Sequence, residues 1–83
     1  MTVRRQVRIK YYAVLRERAG RHEETLATAA ADASELYEEL RTRYAFHLPQ
    51  SQLKVAINAE FADWSRRLIE GDEVVFIPPV AGG

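Results

Sequence analysis

The chain has 83 residues, enough for one small domain and too few to spare for a deep active-site cavity. Its 12 basic and 12 acidic residues balance, which argues against a nucleic-acid protein that relies on a general positive field. There is no cysteine, so disulfides, a thiol nucleophile and a thiolate metal site are excluded.

His22 and His47 lie far apart in sequence, so no metal site is expected. No stretch approaches the roughly 18 apolar residues of a membrane span. Arg4, Arg5, Arg8 and Lys10 are interleaved with apolar residues, unlike the start of a signal peptide. These features predict a soluble cytoplasmic protein that binds neither nucleic acid nor membrane.

Val3 to Ala13 alternates, with Val3, Val7, Ile9, Tyr11 and Ala13 on one face and Arg4, Arg8, Lys10 and Tyr12 on the other. A period of two predicts a half-buried strand. Leu15 to Gly20 reads as a turn closing at Gly20, and Glu23 to Thr28 as a second strand forming a hairpin with the first. Asp32 opens a helix through a capping box with Glu35. Leu36, Leu40 and Tyr44, with Tyr37 beside them, supply its buried stripe, while Glu38, Glu39, Arg41 and Arg43 face water.

Phe46-His47-Leu48-Pro49 ends the helix. Gln52 to Ala59 alternates again, with Leu53, Val55 and Ile57 pointing one way and Asn58 at a turn. Phe61, Trp64 and Leu68 are expected to seal an edge of the core through a short strand or irregular turns. Glu70-Gly71-Asp72 is a turn, and Glu73 to Ile77 the last strand. Arg16 and Asp72 are charges at turns, where solvation is the usual state. Consecutive pairs such as Glu38-Glu39 splay apart, which excludes a general acid/base pair, and there is no phosphate loop or nucleophile elbow.

The predicted architecture is α+β: a mixed sheet of four to five strands, the apolar first and last strands parallel at its centre, with one main helix on one face. This is a β-grasp, or ubiquitin-like, arrangement. Residues 1–77 form the domain and 78–83 a flexible, reactive tail. Pro78 and Pro79 donate no backbone hydrogen bond, so the sheet cannot continue through them, and they launch a stiff stalk. Gly82 and Gly83 carry no Cβ, so they can thread a narrow channel and leave the terminal carboxylate unhindered. On the last strand, Val74 and Phe76 are expected under the helix, leaving Val75 and Ile77 exposed beside Lys10 and Tyr12 as a partner surface.

The sequence resembles the small, sulfur-carrying subunit family of molybdopterin synthase along essentially its whole length. The resemblance rests on Ile9-Lys10-Tyr11-Tyr12-Ala13, Leu15-Arg16-Glu17, Gly20, Val55-Ala56-Ile57-Asn58, Gly71-Asp72-Glu73-Val74 and, above all, Phe76-Ile77-Pro78-Pro79-Val80-Ala81-Gly82-Gly83. Lys10 and Tyr12 are more polar than that family's usual aliphatic or phenylalanine residues. The resemblance implies that an E1-like activating enzyme, using ATP and magnesium, adenylates the Gly83 carboxylate. A sulfur donor system then converts it to a thiocarboxylate. The tail, with Gly82, Ala81, Val80, Pro79 and Pro78 threading, enters the large catalytic subunit and gives sulfur to cyclic pyranopterin monophosphate. Two loaded copies make one dithiolene. Lys10, Tyr12, Arg16, Val75 and Ile77 are the expected interface, in a heterotetramer with two large subunits. The chain itself would be a non-catalytic subunit of a sulfurtransferase, binding no cofactor or metal. Two other classes stay open: a carrier for thiamine, cysteine or tRNA thiolation, and a ubiquitin-like modifier or inert β-grasp module.

Overall fold

A computed structural model describes residues 3–79. In chain order the elements are β1 (Arg5–Lys10), α1 (Ala13–Ala19), β2 (Glu23–Thr28), α2 (Ala33–Tyr44), a short 3-10 turn at Gln50–Gln52, β3 (Lys54–Ile57), β4 (Glu60–Ala62) and β5 (Glu73–Ile77). The sheet runs β2-β1-β5-β3-β4. β1 and β5 are parallel at its centre, with Ile9 opposite Val74, and the other neighbours are antiparallel. The chain is an α+β β-grasp domain.

Alternation decides which face is buried. Val7, Ile9, Val55, Ile57, Val74 and Phe76 point inward and meet Leu36, Tyr37 and Leu40 of α2 in one core. A side chain of that size contributes about 1.5–3 kcal/mol when fully buried. Aromatic rings fill the space between helix and sheet: Tyr37 contacts Phe46, Trp64 and Phe76, and Trp64 stacks on Phe76 with centroids 5.8 Å apart. Residues 64–68 are laced to the start of α2, Ser34 N–H donating to the Trp64 carbonyl and Leu68 N–H to that of Ala31. Asp32 caps α2 by accepting from Glu35 N–H at 2.9 Å; Glu35 reaches back to Ala31 N–H rather than to the cap residue itself.

Several expectations need correction. Leu15 to Gly20 is not a simple turn but lies largely within α1, whose Leu15 and Ala19 join the core one turn apart and whose end is capped by Gly20 at φ 73°. The first strand is shorter than its alternation, because Ala13 enters the helix and Val3 is left 68% exposed. The third strand is likewise confined to Lys54–Ile57. Tyr44 is only half-buried. Phe61 does not seal the core: it lies in β4 and is 75% exposed.

Candidate functional site

Opposite the helices, the sheet presents a face that neither helix covers. The register lines up Lys10, Val75, Ala56 and Phe61 across β1, β5, β3 and β4, all pointing to this side. Lys54 and Ile77 form the next pair toward the end of the sheet. Val75 and Ile77 are half-buried rather than fully exposed, because neighbouring strands shield their flanks. Glu73 sits between two cations on the same face, 3.7 Å from Arg8 and 3.6 Å from Lys10. The face is therefore apolar at Val75, Ile77, Ala56 and Phe61, with Lys54 at the Ile77 end and the Arg8, Lys10 and Glu73 charges along β1 and the start of β5.

Tyr12 follows β1 and is 50% exposed. It lies two residues beyond Lys10, the last residue of β1 in register with β5. Its carbonyl accepts from Leu15 N–H as α1 begins. Arg16 is exposed on α1 and borders a shallow hollow with Lys10, Tyr12 and His22. The structure thus pairs Lys10 with Val75, puts Ile77 two residues further along β5, and sets Lys10, Tyr12 and Arg16 around one hollow. Phe61 belongs to this face and was missed in the sequence. No local signal could have found it: in a strand of three residues, only the pairing with β3 shows that Phe61 faces this side.

β5 has neighbours on both sides, so the chain leaves from the middle of the sheet rather than from an edge. Its ladder with β3 stops at Lys54 opposite Ile77, where Pro78 would have to supply an N–H it lacks. Pro78 is half-buried and Pro79 exposed. Val80, Ala81, Gly82 and Gly83, expected to thread and to carry the reactive end, lie outside the described residues.

Asp72 is not the solvated charge its turn position suggests. It is 4% exposed and accepts from Ile69 N–H at 2.8 Å, Asn58 Nδ2 at 2.9 Å and Arg66 Nη1 at 2.7 Å. Burial alone would raise its pKa, but these donors outweigh burial and hold it below the usual carboxylate range. Asp72 therefore fixes the turn that aims β5. Among the described residues no group of His, Asp and Glu could hold a metal ion, and no helix is long and apolar enough to cross a membrane.

A sheet in the order β2-β1-β5-β3-β4 with α2 packed across one face is the β-grasp framework of the ubiquitin-like proteins. The ThiS family model matches residues 9–83, and the chain belongs to that family. It is 33% identical to the molybdopterin synthase sulfur carrier subunit of Escherichia coli, over 93% of this chain and 99% of the relative. The Mycobacterium tuberculosis protein of the same name is also 33% identical, over 94% and 98%. Several solved structures share the fold. The small archaeal modifier protein 1 of Methanosarcina acetivorans has a TM-score of 0.76 at 23% identity, covering 98% of this chain and 99% of that one. A complex of subunits 1 and 2 of the molybdopterin-converting factor from Helicobacter pylori contains a chain with a TM-score of 0.63 at 24% identity, covering 94% and 99%.

Proposed function

We propose that this chain is the sulfur carrier subunit of a cytoplasmic molybdopterin synthase. The observation that carries the proposal is the family match through Gly83, joined to a central strand that ends in Pro78-Pro79 beside a bare apolar face. A carboxylate is a poor electrophile, so it must first attack the α-phosphorus of magnesium-bound ATP on an E1-like enzyme, expelling pyrophosphate. A sulfur nucleophile then attacks the acyl adenylate and AMP leaves, giving a thiocarboxylate on Gly83. In the large subunit that sulfur passes to cyclic pyranopterin monophosphate, two loaded chains completing one dithiolene.

This chain supplies a handle and a narrow arm, not acid/base chemistry. Lys10, Tyr12, Val75, Ile77 and Phe61 dock it, with Arg16 at the rim; Pro78 to Gly82 carry the end into the partner. The assembly expected is two carriers on two large subunits. Removal of Gly83, or Gly82→Trp, is expected to abolish AMP formation by the activating enzyme while the folded spectrum stays unchanged. Normal AMP formation by either variant would contradict the proposal.

A further inference from the structure

We propose that Lys54 selects the partner of the bare face by pairing with a side-chain carboxylate on the large subunit. The proposal rests on the carrier reading, which makes this face the large subunit's seat. Lys54 opens β3 opposite Ile77, while Ala56 stands opposite Val75, so the lysine leaves the sheet on the same side as the apolar row. It lines a shallow hollow of about 310 Å³ with Ser51, Gln52, Ile77, Pro78 and Pro79, where the last strand gives way to the tail.

The other charges on this face already have company. Arg8 and Lys10 share the Glu73 carboxylate, at 3.7 and 3.6 Å, and Glu23 stands across from Lys10 on β2. Lys54 is exposed and enters no ion pair among the described residues. Asp63 borders a second hollow with Lys54, Phe61 and Trp64, yet it forms no ion pair there. The apolar row thus ends on a cation that the described fold leaves unmatched.

In the free chain water solvates that amine at little cost. Docking changes the balance. Lys54 shares its hollow with Ile77 and the half-buried Pro78, so a partner that seals the apolar row also displaces water from the ammonium. A cation taken from water with no counter-charge costs more than burial of one aliphatic side chain returns. A carboxylate aimed into the hollow removes that penalty. An apolar group in the same place keeps it, so the lysine that admits an acidic seat also refuses an apolar one.

The test is calorimetric titration of the full chain into the large subunit. Lys54→Gln strands the partner's carboxylate and is expected to weaken binding by at least about tenfold; Lys54→Glu opposes it and should cost at least about a hundredfold. Lys54→Arg keeps the charge and should bind within about threefold of wild type. Added salt should weaken wild type more than Lys54→Gln. Acidic residues on the large subunit's docking surface are then reversed to lysine one at a time; one reversal should restore binding by Lys54→Glu while weakening wild type. The variants alter an exposed side chain, so all should keep the folded spectrum. Binding by Lys54→Gln within about threefold of wild type, or tighter, would overturn the proposal, as would failure of every reversal to restore Lys54→Glu. Either result leaves the carrier reading standing. A wild-type chain that does not bind the large subunit at all would remove that reading, and the pairing with it.

Discussion

Asp72 and Glu24 are acidic side chains that the fold withdraws from water, and each is met by donors arranged around it. Asp72→Ala is expected to cost about 2–3 kcal/mol in urea unfolding, because Ile69 N–H, Asn58 and Arg66 lose a shared acceptor. A folded pKa below the unfolded one means this stabilisation is complete above about pH 4 and fades as pH falls below it. Asp72→Asn should flatten that acid limb. Glu24 Oε2 accepts from Tyr11 at 2.5 Å and Tyr44 at 2.6 Å, tying β2 to the end of β1 and to α2. Burial first, then the hydrogen bond to anionic Glu24, raises both phenols above their ordinary value. Here the sign reverses: stabilisation is intact below about pH 10 and is lost as pH rises beyond it. Tyr11→Phe should cost about 1–2 kcal/mol at neutral pH and give a shallower alkaline limb in the same unfolding assay.

At the scale of elements, α2 ends on Ala45 in the left-handed region, φ 56°, where Phe46 N–H closes back on the Arg41 carbonyl. A side chain there carries a penalty of roughly 1–2 kcal/mol that glycine avoids. Ala45→Gly should therefore raise stability by about 1 kcal/mol and the melting temperature by about 4–8 °C; an unchanged or lower midpoint would show the helix end to be unstrained. The strands that alternate over several residues, and the helix with Asp32 and its Leu36-Leu40 stripe, could be read from the sequence because periodicity accumulates over length. The 7 residues of α1 place only Leu15 and Ala19 inside, so its helical period hardly repeats and Gly20 reads as a turn. β4 is shorter still, 3 residues, and only its pairing with β3 tells Phe61 which way to face. Asp72 was misread for a related reason: its partners come from other segments, so no local pattern announces its burial.

The whole molecule divides its labour between two faces. One side of the sheet spends its apolar residues on α2 and the core; the other leaves Val75, Ile77, Ala56 and Phe61 beside the root of the tail. A face of that kind next to a chain end suits a partner that must grip the globule while handling the terminus. Ile77→Asp and Phe61→Asp are each expected to weaken binding to the large subunit by about tenfold or more, equivalent to about 1.4 kcal/mol, with the folded spectrum retained. Unchanged affinity in a calorimetric titration would remove this face from the interface. The most direct check on the carrier role is the intact mass of the chain after co-expression with its activating enzyme and sulfur donor. The chain should gain the mass difference between sulfur and oxygen, and lose that gain when the large subunit and cyclic pyranopterin monophosphate are supplied. A chain that keeps its unmodified mass throughout, or appears only joined to a second protein, would contradict it.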